Sequence, residues 1–112
     1  MLDMTKETIG VAYEALKAAV INAYEAGEAA LLAKNALEAM RLSMLMTGEI
    51  AGKNEAEREA KARQLLEEKF DWVEECEAEA RRAKTALEVA RLDVEMMRAQ
   101  LRLAELVEAS AA

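Results

Sequence analysis

Residues 73–104 read VEECEAEARRAKTALEVARLDVEMMRAQLRLA. Within them Val73, Cys76, Ala80, Ala83, Leu87, Ala90, Val94, Met97, Leu101 and Ala104 recur at alternating steps of three and four. That spacing is the apolar seam by which one α-helix packs along another. A seam this long requires a partner helix, and the chain supplies one upstream. Ile9, Leu16, Ala23, Ala30, Leu37 and Met44 repeat every seven residues, with Ala12, Ala19, Ala26, Ala33 and Met40 on the neighbouring row.

Composition agrees with two long helices. The 112 residues are 54% apolar and 33% charged, with no proline and four glycines, so helix formers run with few breakers and one folded, all-α unit is the default. Aromatic residues make up only 4% (Tyr13, Tyr24, Phe70, Trp72), which leaves Ala, Leu, Val and Met to build the core. Alanine at contact positions lets helix axes approach to the lower end of the usual range of about 8–10 Å, favouring extended pairing over a globular ball.

The first helix is expected over about 3–46, with Asp3 or Thr5 as its cap. Gly10 and Gly27 lie inside it, each costing about 1 kcal/mol relative to alanine, and predict local bending or close backbone contact. A connection over about 47–53 follows, with Gly48 as a helix stop and Gly52 as a second glycine. Asn54, three residues before Glu57, then reads as a variant capping box, while Glu55 and Glu59 complement the helix dipole. The second helix is expected over about 54–109, interrupted at most near 69–71, where the seam falters at Lys69 and Asp71 with Glu74 can recap the chain but no glycine or proline enforces a stop. At about 1.5 Å per residue the helices would span roughly 65 Å and roughly 80 Å, so a hairpin leaves the last turns of the second without a partner.

A second apolar stripe, Val89, Leu92, Met96, Ala99, Leu103 and Leu106, lies roughly opposite the first on the same helix. One hairpin covers only one stripe. The expected fold is therefore an all-α, long antiparallel helical hairpin, coiled-coil-like, assembling into a four-helix bundle dimer through this stripe. Charge patterning points the same way. Glu67, Glu68, Asp71, Glu74, Glu75, Glu77 and Glu79 stand against Lys69 alone, and Arg81, Arg82, Lys84, Arg91, Arg98 and Arg102 follow, as in two copies crossing antiparallel near 80–86. A solvated face with helix-favourable charge gives the same pattern. Trp72, beside the seam residue Val73, is either an interface anchor or a plug for a hydrophobic gap.

Several chemistries are disfavoured. Histidine is absent and Cys76 is the only cysteine, which removes the commonest general base, the commonest metal ligand and any thiolate cage. Cys76 reads as a buried thiol of the seam. Glu25 with Glu28 has carboxylate spacing but lacks the Glu-x-x-His pair of bundle metal sites. Residues 48–54, GEIAGKN, are one residue short of a phosphate loop, end in Asn and follow a helix, so a turn and cap explain them better. The net charge of −7 opposes broad binding to nucleic acid or anionic membrane. The start of the chain has no apolar leader core, and no 18-residue stretch is apolar throughout. A cytoplasmic protein with no cofactor, metal or small-molecule substrate is expected.

Met40, Met44 and Met46 lie near the connection and Met96 and Met97 on the second helix. They are either core filling or an adaptable binding surface. The segment Gly52-Lys-Asn-Glu-Ala-Glu-Arg58, the Ala-rich first helix and the run Ala90-Arg-Leu-Asp-Val together resemble small helical-hairpin proteins of phage and prophage gene clusters. That resemblance implies a hairpin fold and carries no activity and no site residues. Two functions are open: a non-enzymatic, self-associating scaffold, adaptor or assembly factor acting as a homodimer, a higher homo-oligomer or on another protein, and an acidic inhibitor that mimics nucleic acid through residues 67–79 and binds a phage or host enzyme.

Overall fold

The computed structural model describes residues 5–111. Among these residues the chain is all-helical, with no strand: α1 spans Lys6–Thr47, α2 Glu55–Leu65 and α3 Glu67–Ala111. Thr5 opens α1, its Oγ1 accepting from the Thr8 amide at 3.1 Å. Asp3, the other expected cap, lies outside the described residues. No helix is long and apolar enough to cross a membrane among the described residues.

The chain divides into two compact units, one of Glu25–Arg81 and one drawn from Met1–Tyr24 with Arg82–Ala112. In the first, α1 ends at Thr47 because Gly48 takes a left-handed backbone with φ of 82°, a conformation glycine reaches without strain. The Gly48 amide donates to the Leu45 carbonyl at 3.3 Å, and the Ile50 amide donates to the Met44 carbonyl at 3.1 Å, satisfying carbonyls the last turn would leave open. Ile50 is thereby carried into the core, where it packs with Ala33 and Leu37 of α1, Ala62 of α2, Leu66, and Val73 of α3. Met44, Phe70 and the partly buried Cys76 pack against this cluster. Cys76 is thus half-covered where a buried thiol was expected.

The start of α2 follows the expected cap with one difference. The Glu57 amide donates to Asn54 Oδ1 at 2.9 Å, but the Glu57 carboxylate accepts from the amide of Lys53 at 2.8 Å, one residue earlier than a standard capping box. The turn at Gly52 packs closely on this cap: a Cβ there would lie 2.8 Å from Glu57 Cβ and 3.0 Å from the Arg58 nitrogen. Gly10 and Gly27 behave otherwise. A Cβ at either would meet nothing within 4 Å, and α1 runs through both, so neither marks a close contact among the described residues.

The interruption of the second helical run falls at Leu66, not at 69–71. Leu66 has φ −115° and ψ 26°, yet its amide still donates to the Ala62 carbonyl at 2.8 Å and its carbonyl accepts from the Phe70 amide at 2.9 Å. The ladder therefore bends without opening. The cause lies in the seam. Continuing the three-four rhythm back from Val73 would place Lys69 in the core, whereas Lys69 is exposed and Phe70 is half-buried. The seam instead steps by four from Ala62 to Leu66 and by four again to Phe70, and the one non-helical residue absorbs the change of phase.

In the other unit the first residues of α1 meet the second half of α3. Ile9, Ala12, Leu16, Ala19 and Ala23 are half-buried, as are Ala83, Leu87, Ala90, Leu101 and Ala104, and Val94 and Met97 are buried. From Glu105 to Ala111 every residue is exposed, so among the described residues no helix covers the last two turns of α3.

Candidate interaction surface

Helix periodicity decides which side chains face outward here. The seam of α3 occupies one side, and the second stripe lies roughly 150° around the axis at about 100° per residue. Within the unit that holds residues 82–111, all six stripe residues are exposed. Val89 is 52%, Leu92 60%, Met96 58%, Leu103 61% and Leu106 60% exposed. Single exposed apolar residues are ordinary on protein surfaces, but five large ones in one row along nearly five turns form a patch of the kind that marks an interaction site.

The charges beside the stripe are also open. Glu88 pairs with Arg91 at 3.1 Å on the same helix. Glu95 and Arg102 make no ion pair among the described residues. Gln100, between stripe and seam, has a buried Oε1 with no hydrogen-bond partner among the described residues, an unmet desolvation cost.

Trp72 belongs to the unit Glu25–Arg81. It is 38% exposed, and Lys69 Nζ lies 5.5 Å from its ring centroid, so the cation covers part of the indole. The methionines separate by role. Met44 packs on the core and Met97 is buried, whereas Met46 and Met96 are exposed. An open groove beside Met40, Ser43, Met44, Glu49 and Leu65 lies next to the bend at Leu66.

Two features were not foreseen. Arg41 of α1 bonds to Glu59 of α2, Glu59 also faces Arg63 Nε at 3.5 Å, and the Arg63 guanidinium stacks 4.7 Å from the Phe70 ring centroid. This chain of contacts ties the three helices together around the bend. The i,i+4 spacing of Glu59 and Arg63 was visible in sequence, but the link to Arg41 depends on how α1 meets α2. The second feature is the outer side of α1, where Val11, Tyr24 and Leu32 are largely exposed. Tyr13 with Val20, and Tyr24 with Leu31, repeat at seven, and that period was the available signal.

Among the described residues no group of three or more acidic or cysteine side chains is placed to hold a metal ion. All seven carboxylates of residues 67–79 are exposed. No family model, curated protein or solved structure matches this chain.

Proposed function

We propose that this protein is a non-enzymatic, cytoplasmic helical hairpin that associates with itself, as a dimer with four helices, and serves as a scaffold, adaptor or assembly factor. The observation that carries the reading is the outward row on α3, in which five large apolar side chains are each more than half exposed. The thinness of the core supports it. The buried side chains among the described residues are Ala33, Leu37, Ile50, Ala62, Leu66, Val73, Val94 and Met97, and two of these are alanine. A fold with so little buried per residue gains most from covering a second face.

Light scattering across protein and salt concentrations tests this directly. A dimer or higher oligomer is expected, and the double substitution Leu92→Glu with Met96→Glu should convert it to a monomer whose circular dichroism remains helical. An unchanged mass in the variant would remove the stripe from the interface, and a monomeric wild-type protein would remove self-association.

The acidic-mimic reading keeps one specific support. Glu67, Glu68, Asp71, Glu74 and Glu75 fall on the side of α3 opposite Val73 and Cys76 and are exposed together. It becomes the better reading if the wild-type protein is monomeric in that experiment and is retained by a nucleic-acid-processing enzyme through those carboxylates.

A further inference from the structure

The stripe on α3 carries its own register. Val89, Leu92, Met96, Ala99, Leu103 and Leu106 are spaced three, four, three, four, three, a series that reads the same in both directions. Reversed and laid on itself, it sets Val89 against Leu106, Leu92 against Leu103, and Met96 against Ala99, a long side chain facing a short one at the centre. We propose that the covering partner is a second copy of this chain, docked α3 on α3 in antiparallel register about a two-fold axis between residues 97 and 98. This rests on the self-association reading above and specifies its geometry.

Charge decides the direction. One flank of the stripe is the row Glu88, Glu95, Arg102, and the other is Ala86, Asp93, Gln100, Val107. In an antiparallel pair each row meets its own copy, whereas in a parallel pair the two rows cross. Antiparallel pairing places Glu95 of each chain opposite Arg102 of the other, twice by symmetry, with Asp93 opposite Gln100 and no like charges facing. Parallel pairing places Glu88 against Asp93 twice. Glu95 and Arg102 have no ion pair within the chain among the described residues, so both are available for this contact.

The register suggested by the acidic and basic runs alone, a crossing near 80–86, fails on the same face. It would set Val89 against Glu77 and Leu92 against Glu74, pressing apolar side chains onto carboxylates. Centring at 97–98 pairs the whole stripe with itself. Because seam and stripe lie on opposing sides of α3, α1 covers one and the second copy's α3 the other. Within the unit that holds residues 82–111, the helices then run as a layer in the order α1, α3, α3, α1, with the two α3 segments inside.

Charge reversal tests this on the intact chain at exposed positions. The dimer dissociation constant is measured at low salt by sedimentation equilibrium for the wild type, Glu95→Arg, Arg102→Glu and the double variant. Each single reversal creates two like-charge contacts and should weaken the dimer by about tenfold, while the double variant should return to within about twofold of wild type. A dimer indifferent to the single reversals, or one weakened further by the double variant, overturns the antiparallel register and leaves self-association standing. A wild-type monomer at every concentration overturns both.

Discussion

Gly27 and Gly52 pose opposite constraints on the residue that could replace them. At Gly52 a Cβ would press against the Glu57 side chain and the Arg58 backbone nitrogen, so Gly52→Ala should destabilise the fold by about 1–3 kcal/mol. At Gly27 the helix is open, and Gly27→Ala should stabilise it by about 1 kcal/mol through helix propensity alone. Urea denaturation of the two variants checks both signs. The sequence distinguished these glycines only in part. Asn54 and Glu57 announced a cap because capping chemistry is local, and the structure places the Asn54 bond where spacing put it. That Glu57 turns to the Lys53 amide depends on the path of the backbone through Gly52, which no residue type declares. The expectation of close backbone contact at Gly10 and Gly27 failed for a related reason: glycine permits an approach but does not require one.

At the level of the helix, periodicity was the reliable signal. Every seam residue from Val73 to Ala104 is buried or half-buried, whereas the stripe from Val89 to Leu106 has the same three-four spacing and is exposed, so the spacing marked both rows but not which of them the chain itself covers. The bend was legible as a disturbance but not as a position. Lys69 marked the place where the seam falters, and the chain answers upstream at Leu66 so that Phe70 takes the inward place. Phe70→Ala should therefore lower stability by about 2 kcal/mol, scaled down for partial burial, whereas Lys69→Ala should change it by less than about 0.5 kcal/mol. Thermal denaturation of the pair separates this phase shift from a seam that simply skips a turn. The contacts from Arg41 through Glu59 and Arg63 to Phe70 are partly exposed and hold the bend by geometry more than by energy.

Across the whole chain, the sequence exposed the two-sided character of α3 but not that of α1. On α3 the second stripe is unbroken by charge from Val89 to Leu106, so it stood out beside the seam. On α1 the corresponding row is interrupted by Lys17 and by Gly27, and the exposed Tyr13, Val20 and Tyr24 blended into a helix that is apolar on most sides. The division into two units has a further consequence, for the order of events when the chain folds. Contacts of the unit Glu25–Arg81, such as Ile50 with Ala62, join residues close in sequence, whereas the other unit joins Met1–Tyr24 to Arg82–Ala112. Closing the longer loop costs more entropy, though only about 0.6 kcal/mol per doubling, and it follows easily once the nearer contacts are made. Pulse-labelled hydrogen exchange during refolding should show amides of α2 protected before those between residues 87 and 101. On a ribosome, residues 5–24 would then wait until the far end of α3 emerges, and the outward row would become a finished surface only as synthesis passes it.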